Sequence, residues 1–177
     1  MTKVARVYGL PRSGTNYVEY LVRNYTQLRY ENEFAENAYL GYRTAVKHCP
    51  PEPGADITIL VFKQEKNFID SFTRWDGETG EINPSWLWSR MIVDYCKFAQ
   101  ENRSSCLVVS WERCLGNEHK LIREVAWRTK AETVQDDIQV PDKSFDRDGG
   151  VSVTEIPFQA PSDLSVYPNP LNRYLCF

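Results

Sequence analysis

A short glycine-bounded segment near the start of the chain carries residue types that bind phosphate. Four residues separate Gly9 from Gly14, and Arg12, Ser13 and Thr15 lie within or just after this interval. Backbone N–H groups at such a turn and at a following helix N-terminus bind phosphate oxygens. Thr15 follows Gly14 directly, where the loop of nucleoside triphosphatases has a lysine. The segment therefore predicts a bound phosphorylated nucleotide, but not ATP with magnesium in the usual way.

The patterns on either side of this segment are those of a strand and a helix. Residues 4–8 form a short apolar run, and residues 14–25 have apolar side chains at helical spacing. A purely structural strand-to-helix turn would have the same surroundings, so both interpretations stay open at this point.

Alternating strand and helix patterns continue along the chain. Predicted strands cover residues 44–48, 57–62 and 106–111, and predicted helices cover 65–75, 84–102 and 117–130. Asn83-Pro84 is a helix start, because asparagine caps the helix and proline fits its first position. Beyond residue 131 we expect a turn at 148–150, a strand at 151–156 and a wrapping proline-rich tail at 157–177. The pattern predicts a single α/β domain over residues 1–177, with a central, mainly parallel sheet flanked by helices.

Composition narrows the function classes. A net charge of −3 argues against a dedicated nucleic-acid-binding protein, which usually has a strongly basic face. The five cysteines lack metal-ligand spacing and there are only two histidines, so we expect reduced thiols and no metal site. The sequence shows no signal-peptide pattern and no apolar run of membrane-spanning length. We therefore expect a cytoplasmic protein without membrane or nucleic-acid partners, and its oligomeric state stays open.

Residues 11–17, Pro-Arg-Ser-Gly-Thr-Asn-Tyr, resemble the 5′-phosphosulfate loop of sulfotransferases, which has the pattern Pro-Lys/Arg-Ser-Gly-Thr-Thr-Trp. These enzymes use 3′-phosphoadenosine 5′-phosphosulfate (PAPS) as sulfuryl donor and release adenosine 3′,5′-bisphosphate (PAP) without a metal. The chain resembles a small, divergent member of this family. The resemblance implies a P-loop-type, three-layer fold. It also implies that the donor is bound by Arg12, Ser13, Gly14, Thr15, Asn16 and Tyr17.

A second segment is similar to the family's 3′-phosphate site, where an arginine ends a buried strand and a serine follows eight residues later. Here Lys63 follows the strand 57–62, and Ser71 lies eight residues on. The lysine keeps the charge but loses the two-pronged geometry of arginine. Glu65 stands where a proline is common. The resemblance implies that Lys63 and Ser71 hold the 3′-phosphate, although a strand-end cation and an ordinary helix serine would look the same.

The segment 109–115 is similar to the family strand that ends in Tyr-Glu-Asp-x-Leu. Trp111 occupies the tyrosine position near the adenine, and Tyr17 occupies another adenine position that is normally tryptophan. Aromatic faces suit this task because a base stacks on them. Trp111 could equally be a core residue. Trp75, Trp86 and Trp88 could line an acceptor pocket, but packing between helices is the interpretation we favour.

The catalytic base of the family is a histidine in a Lys-Thr-His-Leu-Pro segment, and residues 46–50, Val-Lys-His-Cys-Pro, are similar. The resemblance implies that His48 is the base. The family's lysine aligns with Val46, and Lys47 would face the opposite side of an extended strand. Either Arg12 alone stabilises the developing charge, or another cation such as Arg43 contributes.

The resemblance covers motifs within residues 4–126 and fades after them. The family's late Arg-Lys-Gly loop has no counterpart here, and residues 144–150 are a poor match. The sequence favours sulfuryl transfer from PAPS to a hydroxyl or amine acceptor, with His48 as base and Arg12 as the stabilising cation. A kinase-type phosphotransferase and a non-catalytic nucleotide-binding protein remain as alternatives, and the acceptor is left open.

Overall fold

The structure is a computed structural model that describes residues 2–31, 34–36, 38–40, 43–75, 82–133, 138, 144–145, 151–152 and 170–175. In chain order its elements are β1 (Val4–Tyr8), α1 (Thr15–Tyr25), β2 (Arg29–Tyr30), β3 (Phe34–Glu36), β4 (Arg43–Ala45), a 3₁₀ turn (Val46–His48), β5 (Ile57–Phe62), α2 (Glu65–Trp75), α3 (Pro84–Glu101), β6 (Cys106–Ser110), α4 (Trp111–Cys114), α5 (Glu118–Thr129), β7 (Ser144–Phe145), β8 (Val151–Ser152) and a second 3₁₀ helix (Pro170–Tyr174).

The main sheet contains four parallel strands in the order β2-β1-β5-β6. From β1 the chain moves outward to β2 and then returns to place β5 on the other side of β1. The order of strands therefore reverses at β1 and β5. In open parallel sheets, ligands bind at such a reversal, in the crevice outside the carboxyl ends of the strands.

Helices cover both faces of this sheet. On one face α1 and α5 pack against side chains such as Val7, Ile59 and Val109. On the other face α2, α3 and the second 3₁₀ helix pack against side chains such as Leu60 and Val108. All six residues of β5 are consequently buried, as expected for a parallel strand covered on both sides. The predicted α/β, three-layer architecture is confirmed.

Most helix and strand boundaries agree with the predicted ones. The strands 4–8 and 57–62 and the helix 65–75 have the predicted limits, and α3 ends one residue early. The side chain of Asn83 accepts a hydrogen bond from the backbone N–H of Trp86 at 3.1 Å, which confirms it as the cap of α3. The strand predicted at 106–111 ends at Ser110, because Trp111 begins the short helix α4.

The strand predicted at residues 44–48 is wrong in its second half. Residues 43–45 form β4, which pairs antiparallel with β3 outside the main sheet, and residues 46–48 form a 3₁₀ turn. The backbone N–H of Gly9 donates to the carbonyl of Lys47 at 2.7 Å, so the turn is held by a residue distant in sequence. Such tertiary contacts override a short local pattern.

The described part of the carboxyl-terminal segment packs against the body. Leu171 is fully buried against the α3 side of the sheet, and Leu175 forms a parallel bridge with Val108 of β6. The predicted turn at 148–150 and residues 153–156 of the predicted strand lie outside the described residues. Among the residues that are described, Cys49, Cys96, Cys106 and Cys114 form no disulfide. No helix in the described part is long and apolar enough to span a membrane.

Candidate functional site

Three segments that carry predicted site residues meet at the carboxyl edge of the main sheet. Residues 9–15 follow β1, Lys63 follows β5, and Trp111 follows β6. The 3₁₀ turn that contains His48 lies beside the first of these segments, through its bonds to Gly9. The sheet thus places these residues at the reversal of strand order, where a parallel sheet binds its ligand.

The loop after β1 is tightly built. The carbonyl of Leu10 accepts hydrogen bonds from the backbone N–H of Ser13 at 3.0 Å and from its hydroxyl at 2.6 Å. Gly9 must lack a side chain, because an added Cβ would lie 2.5 Å from both Ser13 Oγ and Thr15 Cγ2. The loop therefore has a fixed path before α1 begins at Thr15.

Two residues of this loop have left-handed backbone conformations. Gly14 has φ of 91° and Arg12 has φ of 69°. The conformation costs an ordinary residue such as arginine roughly 1–2 kcal/mol. Strain of this kind persists where the surrounding structure imposes it, and it is concentrated at functional sites. In this conformation the side chain of Arg12 is exposed on the loop that leads into α1.

Trp111 bridges the first loop and the end of β5. Its indole lies so close to Gly14 that an added Cβ would be 2.0 Å from Trp111 Cδ1. Lys63 Nζ lies 4.3 Å from the centroid of the same indole, in a cation–π contact. The ring face covered by Lys63 cannot receive a base in this conformation. The two predicted phosphate motifs are thereby joined through one aromatic side chain.

Lys63 and Ser71 are close together as predicted, with Lys63 Nζ 3.5 Å from Ser71 Oγ. The carbonyl of Lys63 accepts a hydrogen bond from Trp88 Nε1 at 2.9 Å, which fixes the backbone at the end of β5. The pKa of Lys63 is lowered to about 8, chiefly by burial; the charge of Glu112 opposes this lowering, and the charges of Arg12 and Arg74 add to it. This ammonium loses its charge more readily than an exposed lysine does.

Arg74 and Glu112 are two charged groups of this site that the sequence analysis missed. Arg74 lies one helical turn after Ser71, a spacing that places both on one side of α2. The charges of Arg74 and Arg12 both act on the Lys63 ammonium. A helical cation three residues after Ser71 was the available signal. For Glu112 the signal was its position two residues after the buried strand β6.

Glu112 is a buried carboxylate with 4% of its surface exposed. Its Oε1 accepts hydrogen bonds from the backbone N–H of Gln64 at 2.8 Å and from Asn67 Nδ2 at 2.9 Å. Its Oε2 accepts one from the hydroxyl of Ser110 at 2.8 Å. One side chain thus connects the end of β6 with the segment after β5 and with α2.

His48 is held against the first loop. Its Nδ1 lies 2.6 Å from the carbonyl oxygen of Gly9. A carbonyl can only accept, so we assign the proton to Nδ1, which donates it. The neutral ring then carries its basic lone pair on Nε2. The imidazole is therefore oriented by the backbone at the start of the loop 9–15.

Lys47 lies next to α1. Its Nζ is 2.6 Å from Asn16 Oδ1 and 2.8 Å from Glu19 Oε2, and both charged side chains are buried. Lys47 was predicted to face the opposite side of an extended strand from its neighbours. Because residues 46–48 form a 3₁₀ turn, that prediction does not apply. Asn16 was predicted to contact the donor. Its amide oxygen accepts a hydrogen bond from the Lys47 ammonium. Lys47 connects the His48 turn to α1, the helix that follows the loop 9–15.

Tyr17 contacts α5. Its hydroxyl donates to the carboxylate of Glu118, which also accepts from the backbone N–H of Gly116 at 2.9 Å. Burial and the neighbouring carboxylate raise the pKa of Tyr17 above its usual value. The phenol therefore stays protonated and fixes α1 to the start of α5.

The predicted acceptor-pocket residues are placed differently from one another. Trp88 is buried and packs between α3 and the end of β5, which agrees with the favoured packing interpretation, whereas Trp86 is largely exposed. The side chains of Trp75 and Arg43 lie outside the described residues. In the described part of the chain, no group of three histidine, cysteine, aspartate or glutamate side chains could hold a metal ion.

Searches of protein-family models, curated proteins and solved structures found no match to this chain. The fold and the site define an α/β protein whose parallel sheet carries a glycine loop, a lysine and an oriented histidine at its carboxyl edge. Two arginines, Arg12 and Arg74, are near enough for their charges to act on that lysine. Function is therefore inferred from the chemistry of these residues.

Proposed function

We propose that this protein is a sulfotransferase that uses PAPS as donor. One observation carries the proposal. The loop 9–15 and the pair Lys63–Ser71 meet at the reversal of strand order and are joined there through Trp111. A donor with phosphates at both its 5′ and 3′ positions needs two anion sites on one surface. These two segments supply them.

The proposed binding roles follow from the groups present. Backbone N–H groups near Gly14, at the start of α1, bind the 5′-phosphosulfate, because a helix N-terminus attracts anions. Lys63 and Ser71 bind the 3′-phosphate, with Arg74 adding charge. Arg12 extends over the transferring group and neutralises the negative charge on its oxygens. No metal ion is needed for these roles.

The proposed reaction is an in-line transfer. The acceptor hydroxyl oxygen attacks the sulfur atom, and His48 Nε2 takes the hydroxyl proton. The bond between sulfur and the bridging oxygen breaks, and its electron pair leaves with the 5′-phosphate of PAP. The hydrogen bond between His48 Nδ1 and Gly9 supports this role, since it orients the ring and sets which nitrogen is basic.

A non-catalytic nucleotide-binding protein is the second candidate, and one observation favours it. Lys47, the cation adjacent to His48 in the chain, forms a buried ion pair with Glu19. It is therefore neutralised rather than directed at a transferring group. A sulfuryl-transfer assay with PAPS separates the two candidates, because only the enzyme converts PAPS to PAP faster than the uncatalysed hydrolysis.

The binding part of the proposal is tested by thermal shift with PAP. We expect PAP at one hundred times its dissociation constant to stabilise the protein by about 2.7 kcal/mol. ATP with magnesium should give a smaller shift at the same concentration. The variant Lys63→Gln should bind PAP about ten- to a hundredfold more weakly, since it loses a charged hydrogen-bond donor.

The matched control is Lys66→Gln, which removes an exposed lysine of α2 that pairs with Asp70 at 2.6 Å. This variant should bind PAP as the unmodified protein does. Absence of any shift with PAP, or equal shifts for Lys63→Gln and the unmodified protein, would contradict the proposed donor.

A further inference from the structure

Glu112 lies at the junction of the elements that form the 3′-phosphate site. Its three hydrogen bonds come from Ser110 at the end of β6, from Gln64 after β5 and from Asn67 on α2. Lys63 immediately precedes Gln64, and Ser71 lies one turn after Asn67 on the same helix. The carboxylate therefore fixes the segments on which both phosphate-binding residues are carried.

Glu112 is also next to Trp111 in the chain, and Trp111 contacts both Gly14 and Lys63. A shift of Glu112 would move the indole that joins the two loops. The carboxylate thus supports both anion sites at once, although it is itself buried.

Glu112 differs in charge from the other groups that act on Lys63. The groups that act on the Lys63 ammonium are Arg12 from the first loop, Arg74 from α2 and Glu112 from α4. Of these three, Glu112 alone is negative. Burial and the two arginines favour the neutral amine, and Glu112 opposes them by favouring the ammonium.

We infer that Glu112 is a positioning residue of the anion site, which holds the ends of β5 and β6 together and supplies the counter-charge beside Lys63. The inference rests on the proposed function for the identity of the anion. Without Glu112 the lysine would still be present, but it would be less well placed and less often charged.

The variant Glu112→Gln separates charge from position. Both hydrogen bonds to Oε1 can be kept, because an amide oxygen accepts from Gln64 and Asn67 as the carboxylate does. The amide NH₂ can donate to the hydroxyl of Ser110, which then acts as acceptor. Only the negative charge is lost. Glu112→Ala, in contrast, removes the charge together with all three hydrogen bonds.

The first measurement needs no ligand. The side-chain carbon resonance of Lys63 is followed by NMR from about pH 6 to about pH 10 in ¹³C-lysine-labelled protein, and is assigned with Lys63→Arg. The unmodified protein should titrate near pH 8. In Glu112→Gln the midpoint should fall by about one pH unit, the effect of losing one nearby opposite charge.

The second measurement is the affinity for PAP over the same pH range, with adenosine 5′-monophosphate as the ligand that lacks the 3′-phosphate. Affinity for PAP should fall as the pH rises through the Lys63 midpoint, because the ammonium is lost. In Glu112→Gln the fall should begin about one pH unit lower. For adenosine 5′-monophosphate, the pH dependence of affinity should be the same in Glu112→Gln and in the unmodified protein. Glu112→Ala should bind PAP at least about tenfold more weakly at every pH.

The matched control is Glu124→Gln, which removes a carboxylate of α5 that pairs with Arg128 at 2.8 Å. Its Lys63 midpoint should equal that of the unmodified protein. Equal Lys63 midpoints in folded Glu112→Gln and in the unmodified protein would overturn the inference. If the unmodified protein does not bind PAP, the proposed function fails, and the ligand-free titration still decides the role of Glu112.

Discussion

The carbonyl oxygen of Gly9 determines the state of His48. Because this oxygen can only accept, it selects the form of the ring with the proton on Nδ1 and the lone pair on Nε2. An asparagine at position 48 could donate from its amide to the same carbonyl, but it has no basic nitrogen. An asparagine at position 48 therefore separates the hydrogen bond to Gly9 from the basic nitrogen of the histidine ring.

We expect His48→Asn to lower kcat of the proposed sulfuryl transfer by about 10²–10⁴-fold, the usual contribution of a general base. Its affinity for PAP should be unchanged, since the loop beside Gly9 keeps its hydrogen bond. Steady-state kinetics and a thermal shift with PAP measure the two effects. His119→Asn, which alters an exposed histidine of α5, is the control and should leave kcat unchanged. An unaltered kcat in His48→Asn would remove His48 from the catalytic role.

At the scale of elements, the buried pair of Lys47 and Glu19 fixes the His48 turn to α1. Both residues are less than 10% exposed, and the Lys47 ammonium also donates a hydrogen bond to Asn16 Oδ1. Arg23 lies 3.6 Å from the other carboxylate oxygen of Glu19, but it is largely exposed. Removing Glu19 would leave the Lys47 ammonium buried without its opposite charge, which is a costly state.

We therefore expect Glu19→Gln to lower the free energy of unfolding by about 3 kcal/mol, as measured by urea denaturation. The comparison is Asp70→Asn, which breaks an exposed ion pair with Lys66 on α2. That change should cost about 0.5 kcal/mol or less, because water screens exposed pairs. Equal losses in the two variants would show that burial of the Lys47–Glu19 pair contributes nothing.

The elements that the sequence predicted best are those whose conformation is set by residues within the element itself. The run 57–62 is apolar at almost every position because both faces of β5 are covered, and this alone identifies a central parallel strand. Asn83 marks the start of α3 through a local cap. The turn at 46–48 was missed because its shape depends on Gly9 and Glu19, about 40 and 28 residues away in the chain.

The residues of the candidate site could be predicted where they lie in a sequence motif that can be recognised without the structure. Lys63 and Ser71 were predicted from their resemblance to the sulfotransferase pattern of a cation at a strand end and a serine eight residues later. Glu112 and Arg74 were not, because their importance arises only when the ends of β5 and β6 and the side of α2 come together. The contact of Trp111 with Gly14 was likewise inaccessible, since nothing local in the sequence relates the two positions.

At the scale of the whole molecule, the segment 170–175 closes one edge of the sheet. Leu171 is fully buried beside α3, and Leu175 pairs in parallel with Val108 of β6. The run Cys106–Ser110 is entirely buried, so leaving it uncovered would present an apolar edge with unpaired backbone groups. The segment thus completes the layer formed by α2 and α3.

We expect Leu171→Ala to lower the free energy of unfolding by about 2–5 kcal/mol, the range for a leucine removed from a core. Urea denaturation measures the loss, and Pro170→Ala, at the exposed preceding residue, serves as control. A loss of no more than about 0.5 kcal/mol in Leu171→Ala would mean that the segment contributes little to the core.

The contact between Gly14 and Trp111 has a consequence for how this sequence can evolve. A side chain at position 14 would need the space that the indole fills, and it would also have to adopt a left-handed backbone. A larger residue at 14 is therefore compatible only with a smaller one at 111, and that exchange would give up the surface on which Lys63 rests. We therefore expect positions 14 and 111 to change together, and a change at either of them also alters the packing around Lys63.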